Sequence, residues 1–289
     1  MDSKIDVTIV SPVFNEEENI LSFTKSVVDI MKENRWNWEL ILVDDGSTDE
    51  TGKNLERCLK ISKSVRVLTL SKNFGQTPAI QAGFDRSNGK YLITLDSDLQ
   101  NDPKDIPRLL QKLIDEDLDL VVGWRKYRKD NYFLRNFPSQ VANKIIGAIT
   151  KVKLNDYGCS LKAYRAEILN EVRLFGEMHR FIPAWMATKI PPEKISQIEV
   201  LHHPRVAGIS KYGISRTFRV FVDLISVYFF MRFFSRPGHF FGLIGLVLSF
   251  IGSLMLFYLL SLKIFFGLDI GDRPLLIAGT LLVVVGVQF

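Results

Sequence analysis

Three side chains that could bind a cation follow an apolar segment in the middle of the chain. Residues 91–95 have the pattern of a buried strand, and Asp96, Asp98 and Gln100 come directly after them. On an extended backbone these three side chains would point to the same side. Their oxygens suit Mg²⁺ or Mn²⁺ that carries the phosphates of a substrate. The alternative is that the acidic residues only cap the helix predicted from Pro103.

Strand and helix signals alternate along the first part of the chain. Short apolar runs with the length of strands occupy residues 7–10, 39–43, 65–70, 91–95 and 118–123, with helical segments between them. This order predicts an α/β fold with a mostly parallel sheet and right-handed crossovers. The carboxyl ends of parallel strands meet at one end of a sheet, where ligands bind. We therefore expect one pocket to contain the polar residues that follow the runs: Asp44, Asp45, Asp96, Asp98 and Arg125.

Composition and motifs argue against several other classes of protein. The chain has 289 residues, 47% of them hydrophobic, and a net charge of +5 that is not concentrated in one basic stretch. It contains no zinc-finger spacing and no RNA-binding signature, so we expect no nucleic-acid partner. The first strand-to-helix turn lacks G-x-G-x-x-G, which argues against a dinucleotide site. Cys58 and Cys159 are far apart and are expected to be buried thiols.

Charged residues are almost absent from the last part of the chain. Residues 240–262 carry no charge and are long enough to span a membrane. The second uncharged run, 274–289, is shorter. We therefore expect a helical hairpin with a truncated second span. Residues 214–236 have the pattern of an amphipathic helix at the membrane interface. Arg232 and Arg236 precede the first span, which predicts a cytoplasmic catalytic domain. The predicted divisions are 1–211 (catalytic), 212–236 (amphipathic) and 237–289 (transmembrane).

Four short motifs together resemble those of family 2 inverting glycosyltransferases, which have the GT-A fold. They are Pro12-Val13-Phe14-Asn15-Glu16, Val43-Asp44-Asp45-Gly46-Ser47, Asn73-Phe74-Gly75 and Asp96-Ser97-Asp98-Leu99-Gln100. The resemblance implies that the Asp-x-Asp motif holds Mg²⁺ or Mn²⁺ on the diphosphate of a nucleotide sugar. It implies that the nucleotide is bound by Pro12, Phe14, Glu16, Asp44, Asp45 and Asp96. Phe14 stands where the family usually has tyrosine, so the ring is kept and a hydroxyl is lost.

Basic residues after the run that ends at Gly123 suggest anion binding. Arg125 is placed to assist a leaving diphosphate, although it could also be a surface residue of a basic cluster. In a predicted helix over 132–149, Arg135 and Ser139 lie four apart and can reach one anion, or else form an ordinary solvated face. The chain also resembles polyprenyl-phosphate glycosyltransferases, including dolichol-phosphate mannose synthases. This implies contacts to the acceptor phosphate at Arg125, Arg135 and Ser139.

The same resemblance gives roles to three later segments. It makes Asp156 the acidic residue that faces the acceptor. Because a phosphate monoester is largely dianionic near neutral pH, we expect Asp156 to orient the acceptor or the metal site at least as much as it accepts a proton. His179, which alone would be read as structural, and Arg180 are implied to line the acceptor site. Arg205 and Lys211 lie in a glycine-containing loop that could cover the donor diphosphate, or that links the domain to the membrane.

These features predict a membrane-bound enzyme that moves one hexose from a nucleotide sugar to a polyprenyl phosphate with inversion. Asp98, Arg125 and Asp156 are the predicted catalytic residues, and UDP-glucose or a related UDP-sugar is favoured over GDP-mannose. A processive polysaccharide synthase is disfavoured because Gln-x-x-Arg-Trp is missing. A non-enzymatic membrane scaffold is the alternative of another class. We expect an integral protein of a bacterial-type inner membrane. The sequence does not decide between a monomer and a homo-oligomer.

Overall fold

The computed structural model describes residues 5–126, 146–147, 152–169, 173–174, 176, 178–187, 189–204, 228–229, 233 and 236–289. The chain forms two compact units, Met1–Val227 and Tyr228–Phe289. The predicted amphipathic helix over 214–236 lies almost entirely outside the described residues, and the predicted divisions at 211 and 236 stay predictions.

The first unit is built on a seven-stranded sheet with the order β3-β2-β1-β4-β6-β5-β7. Its strands are β1 (Val7–Val13), β2 (Trp38–Asp44), β3 (Val65–Thr69), β4 (Tyr91–Thr94), β5 (Leu120–Trp124), β6 (Lys162–Arg165) and β7 (Ile195–Glu199). Its α-helices are α1 (Ile20–Lys32), α2 (Thr51–Cys58), α3 (Gln76–Asp85), α4 (Ile106–Asp115), α5 (Ala166–Leu169) and α6 (Ile182–Met186). Short 3₁₀ helices occupy Pro103–Asp105, Met178–Arg180 and Pro192–Lys194. The five predicted strands and the mostly parallel α/β sheet are confirmed.

One strand reverses the direction of the sheet. β6 is antiparallel to both of its neighbours, β4 and β5, whereas the other pairs are parallel. β6 therefore begins at the end of the sheet where the other strands finish, which we call the carboxyl end of the sheet. The residues just before β6 reach that end too, although the sequence did not predict this strand.

Apolar packing holds the sheet and helices together. Every residue of β2 and β4 is buried, as expected for central strands covered on both faces. α1 buries Ile20, Phe23 and Val27 at helical spacing and leaves its polar face exposed. The core therefore fixes the strand ends from which the site residues project.

The opposite end of the sheet, which we call the amino end, buries one carboxylate. Glu39 is 3% exposed. Its oxygens accept hydrogen bonds from the Thr8 hydroxyl (2.8 Å), Arg66 Nη1 (2.6 Å) and the Asn88 N–H (2.8 Å). Burial alone would raise the pKa of Glu39, but the hydrogen bonds from Arg66, Thr8 and Asn88 outweigh it and leave the pKa lowered. The ionised carboxylate thus joins β1, β2, β3 and the turn before β4.

The second unit is a pair of apolar helices, α7 (Pro237–Phe266) and α8 (Pro274–Gln288). α7 is the one helix within the described ranges that is long and apolar enough to cross a membrane, and α8 is shorter. Glycines bring the two helices together: a Cβ on Gly245 would lie 2.4 Å from the Gly286 carbonyl oxygen, and one on Gly252 would lie 2.7 Å from that of Gly279. This close approach pairs the helices as a hairpin.

Candidate active site

Side chains and backbone groups join the loops after β1 and β2 at the carboxyl end of the sheet. The Asn15 N–H donates to Ser47 Oγ (3.0 Å), and the Thr48 N–H donates back to Asn15 Oδ1 (2.9 Å). Asp44 Oδ1 accepts the Ser47 N–H at 2.9 Å. Asn15 has a positive φ of 52°, a conformation that asparagine tolerates better than most residues. The two predicted nucleotide-binding loops therefore form one connected surface.

The other predicted nucleotide residues lie on or beside that surface. Phe14 and Glu16 are half-buried in the loop after β1, and Glu16 accepts a hydrogen bond from Asn19 Nδ2 at 2.7 Å. Pro12 lies in β1, and its carbonyl oxygen accepts a hydrogen bond from the Ser97 hydroxyl at 3.1 Å. The structure thus places Pro12 beside the segment that carries the acidic pair, and the role of Pro12, Phe14 and Glu16 toward a nucleotide stays a prediction.

Asp45 binds the loop that precedes α3. Its two carboxylate oxygens accept the backbone N–H groups of Phe74 (2.8 Å) and Gly75 (2.9 Å). Burial, and then repulsion from Asp44, raise the pKa of Asp45, while the two N–H bonds lower it, and the net shift is upward. A Cβ on Gly46, which has a φ of 70°, would lie 2.4 Å from the Lys72 carbonyl carbon, so the loops are in close contact. Asp45 thus holds the start of α3.

The segment from Asp96 to Gln100 is a turn. Leu99 has a positive φ of 59°, and the Gln100 N–H donates to Asp98 Oδ1 at 3.2 Å. The expectation of an extended backbone with Asp96, Asp98 and Gln100 on one line is therefore wrong. The side-chain hydrogen bond to the backbone two residues on competes with extended structure here. Gln100 as a cation ligand stays a prediction, but alternation along a strand no longer supports it.

Asp96 and Asp98 form an acidic pair at this end of the sheet. Asp98 is 8% exposed and Asp96 is half-buried. Burial, and then the charge of Asp98, raise the pKa of Asp96 to about 6, although Ser160, Lys162 and Arg125 pull it down. Asp96 Oδ1 accepts a hydrogen bond from Gln76 Nε2 at 2.7 Å. The neighbouring protein groups thus leave the negative charge of Asp96 only partly compensated.

The acidic pair fits a divalent cation that is shared with a substrate. No group of three or more His, Cys, Asp or Glu side chains in the described part of the chain is placed to hold a metal ion. The protein therefore offers the two carboxylates of Asp96 and Asp98. Mg²⁺ and similar hard cations are commonly held by one or two carboxylates, with phosphate oxygens and water as the remaining ligands.

Two predicted catalytic residues form a buried ion pair with each other. Arg125 Nε donates to Asp156 Oδ2 (2.7 Å), and Arg125 Nη2 donates to Oδ1 (2.9 Å). The two side chains are 11% and 6% exposed. Burial lowers the pKa of Arg125, but the Asp156 carboxylate outweighs this and the net shift is upward. Such bidentate pairs are geometrically specific, so Asp156 fixes the orientation of the guanidinium.

The sequence did not single out Lys162, the first residue of β6. Its side chain is 2% exposed, and Nζ donates to the carbonyl oxygen of Cys159. Burial lowers the pKa of Lys162 to about 8, against the nearby carboxylates of Asp156 and Asp96, which raise it. A lysine between Leu161 and Ala163 in a run of strand length is the signal that could have pointed to a buried cation.

The predicted histidine lies beside the first turn of α3. His179 is in the 3₁₀ helix Met178–Arg180, and its Nδ1 is 2.8 Å from the hydroxyl of Thr77. Only the backbone of Arg180 is described. The other predicted residues of the acceptor site and the covering loop, Arg135, Ser139, Arg205 and Lys211, lie outside the described residues.

Comparison with a family model decides the family. The model described as Glycosyl transferase family 2 matches residues 8–173, more than half of the chain. The chain belongs to glycosyl transferase family 2. The matched range contains the acidic pair, Arg125, Asp156 and Lys162. The resemblance predicted from the sequence is confirmed.

Relatives within glycosyl transferase family 2 match nearly the whole chain. Dodecaprenyl-phosphate galacturonate synthase of Rhizobium johnstonii is 52% identical over 285 residues, which cover 98% of this chain and 84% of the relative. Undecaprenyl-phosphate 4-deoxy-4-formamido-L-arabinose transferase of Proteus mirabilis is 34% identical over 285 residues, covering 98% and 85%. The similarity therefore extends beyond the family 2 match to the apolar hairpin.

A solved structure shares the fold of this family 2 chain. It is glucosyl-3-phosphoglycerate synthase from Mycobacterium tuberculosis, in complex with Mn²⁺, UDP and glucosyl-3-phosphoglycerate. The TM-score is 0.61 at 17% identity, and the match covers 78% of this chain and 80% of that one. The predicted GT-A fold is confirmed.

Proposed function

We propose that the protein is a membrane-bound glycosyltransferase that moves one sugar from a nucleotide sugar to a polyprenyl phosphate, with inversion at the anomeric carbon. The observation that carries this proposal is the 52% identity, over 98% of the chain, to a dodecaprenyl-phosphate galacturonate synthase. The acidic pair, the joined loops and the Arg125–Asp156 pair supply groups that such a reaction needs.

The donor would lie against the joined loops and the acidic pair. The loops that carry Asp44 and Asn15 would hold the nucleotide, and Asp96 and Asp98 would hold Mg²⁺ or Mn²⁺ on its diphosphate. When bound, the cation supplies positive charge that stabilises the nucleoside diphosphate as it leaves. A fold neighbour has been solved with Mn²⁺ and UDP, which supports this kind of ligand.

The acceptor phosphate would be bound by Arg125. A guanidinium has five N–H donors, and Asp156 engages two of those on the side chain, so the group can also meet an anion. A phosphate monoester with a second pKa of about 6 is already largely dianionic near neutral pH, and little proton removal is needed. Asp156 would therefore orient Arg125 and the acceptor instead of acting mainly as a base.

The sugar we favour is a hexuronic acid carried by UDP. The relative with 52% identity is named for galacturonate, whereas relatives with 34% identity are named for 4-deoxy-4-formamido-L-arabinose. UDP-galacturonate is thus our first choice among UDP-sugars, ahead of UDP-glucose. No observation on this chain favours GDP-mannose.

The apolar hairpin would anchor the protein in a lipid bilayer. A 30-residue α-helix is about 45 Å long, which exceeds the roughly 30 Å hydrocarbon core of a membrane. The acceptor is a lipid whose phosphate stays at the membrane surface, so an anchored enzyme would meet it there. We propose an integral inner-membrane protein with a cytoplasmic catalytic unit.

A donor panel tests this proposal. The purified full-length protein is incubated with Mn²⁺, polyprenyl phosphate and one radiolabelled donor at a time: UDP-galacturonate, UDP-glucose or GDP-mannose. We expect label in the organic phase with UDP-galacturonate, and an inverted anomeric configuration in the product. Label from GDP-mannose alone would overturn the proposed donor. No extractable label from any donor would overturn the enzyme and favour a membrane scaffold.

A further inference from the structure

A glutamine outside the predicted site residues binds the acidic pair directly. Gln76 is the first residue of α3, and its Nε2 donates to Asp96 Oδ1 at 2.7 Å. Its side chain is half-buried. Asp96 is therefore held from the α3 side of the site.

The backbone that carries Gln76 is itself fixed. Asp45 accepts the N–H groups of Phe74 and Gly75, the two residues before Gln76. The next residue, Thr77, is 1% exposed and is hydrogen-bonded to His179 at 2.8 Å. Because the residues on both sides are anchored, the Gln76 amide is presented to Asp96 from a defined position.

The chemistry of an amide suits this position. A carboxamide N–H donates to an ionised carboxylate and restricts its rotation, but it adds no charge. A lysine or arginine in the same place would compete with a cation for Asp96, and a glutamate would repel the carboxylate. Glutamine therefore holds Asp96 without neutralising its charge.

We propose that Gln76 is a positioning residue that orients the Asp96 carboxylate toward a divalent cation. The inference rests on the proposed function, because it takes the acidic pair as the cation site. It adds a residue that acts on the cation site from outside the Asp-x-Asp motif, and it makes the first turn of α3 part of that site.

The test compares Gln76→Met with Gln81→Met in the full-length protein. Methionine keeps the length of the side chain and removes the donor. Gln81 is the control, since it is half-buried on the same helix and donates to the Asp85 carboxylate at 2.8 Å. Its Oε1 also accepts the Leu174 N–H at 2.8 Å, so its unfolding temperature is judged separately. Binding of Mn²⁺ is measured by electron paramagnetic resonance, with Mn²⁺ alone and with UDP added, and thermal unfolding is recorded for each variant.

We expect Gln76→Met to weaken Mn²⁺ binding about tenfold, the scale of a lost hydrogen bond to a charged group. Gln81→Met should bind Mn²⁺ like the wild type, although loss of the acceptor of the Leu174 N–H should lower its unfolding temperature. Gln76→Met should unfold at the wild-type temperature. In the transfer assay, Gln76→Met should need about tenfold more Mn²⁺ for half-maximal rate, with an unchanged KM for the lipid acceptor.

Three results would overturn the inference: Mn²⁺ affinity of Gln76→Met within twofold of the wild type, an equal loss of affinity in Gln81→Met, or a loss of affinity in Gln76→Met that comes with a lower unfolding temperature of that variant. The binding readout does not depend on turnover. A wild-type protein that binds Mn²⁺ but makes no lipid-linked sugar would refute the proposed function and leave the comparison of the two variants informative. A wild-type protein that binds no Mn²⁺ would refute the role of Gln76.

Discussion

The two ends of the same sheet bury carboxylates in opposite ways. At the amino end, hydrogen bonds from Arg66, Thr8 and Asn88 lower the pKa of Glu39 despite its burial. At the carboxyl end, burial and the neighbouring Asp98 raise the pKa of Asp96 to about 6. The first charge is satisfied by the protein and supports the fold. The second is only partly satisfied, which is the state expected of a group that awaits a ligand.

The largest expected effect comes from Asp96→Asn. Removing the charge that would hold the cation should lower sugar transfer by about a thousandfold or more, the scale of losing a main electrostatic contact to the leaving group. The unfolding temperature should stay the same or rise, because the ionised Asp96 is repelled by Asp98. The measurements are lipid-extractable label and thermal unfolding. A clear fall in unfolding temperature would place Asp96 with the structural carboxylates.

Asp156→Asn should have the next largest effect. Without the carboxylate, Arg125 loses its bidentate partner and its fixed orientation, and we expect kcat to fall about a hundredfold. The Mn²⁺ concentration for half-maximal rate should not change, since Asp156 is paired with Arg125. The matched control is Asp117→Asn, which breaks a more exposed pair with Arg165. Nearly full turnover in Asp156→Asn would show that Asp156 has no catalytic part.

Glu39→Gln should change stability and spare the reaction. Loss of the charge weakens the hydrogen bonds from Arg66, Thr8 and Asn88. This should lower the free energy of unfolding by about 2 kcal/mol, less than for a fully buried ion pair because Arg66 is partly exposed. Transfer per folded molecule should equal that of the wild type. Denaturation of the full-length protein, together with the transfer assay, measures both. A lower rate per folded molecule would contradict the separation of the two ends.

The same variant predicts a pH dependence. Because the folded-state pKa of Glu39 lies below its ordinary value of 4.5, its contribution to stability is present above pH 4.5 and is lost as the pH falls through the folded-state pKa. The difference in unfolding temperature between the wild type and Glu39→Gln should therefore shrink in acid. A difference that stays constant from pH 7 to acid would contradict this assignment.

The smallest expected effect is a pH-dependent rise in the unfolding temperature when Mn²⁺ and UDP bind at the carboxyl end of the sheet. The pKa of Asp96 is raised, so the group favours folding below its ordinary value of 3.8, and that contribution is lost as the pH rises through about 6. Mn²⁺ with UDP binds the ionised form and should raise the unfolding temperature by a few degrees more at pH 7 than at pH 5. An equal rise in unfolding temperature at both pH values would argue against Asp96 as the group that binds Mn²⁺.

Local patterns explain how much of this could be predicted from sequence. The strands up to β5 and the acidic residues after them are visible because each motif lies within a few consecutive residues. β6 was missed because it is only four residues long and includes Lys162 and Arg165. Without β6, nothing in the sequence brings Asp156 to Arg125. The turn at Leu99 was missed because a positive φ at leucine has no sequence signal.

The hairpin was predicted from the length of two apolar runs and their lack of charge, and the prediction of a first long apolar helix agrees with α7. The glycines that pack it against α8 were not given a role, since the pairing of Gly245 with Gly286 joins residues far apart in sequence. In both units, composition predicts individual helices and strands, whereas the element that each one packs against depends on topology.

The most direct test measures lipid-linked sugar formation per folded molecule for Asp96→Asn and Glu39→Gln side by side, with the wild-type protein as reference. We expect Glu39→Gln to form product at the wild-type rate and Asp96→Asn to form essentially none. Wild-type activity in Asp96→Asn, or an equal loss in both variants, would contradict the claim that the carboxyl end of the sheet is the transfer site.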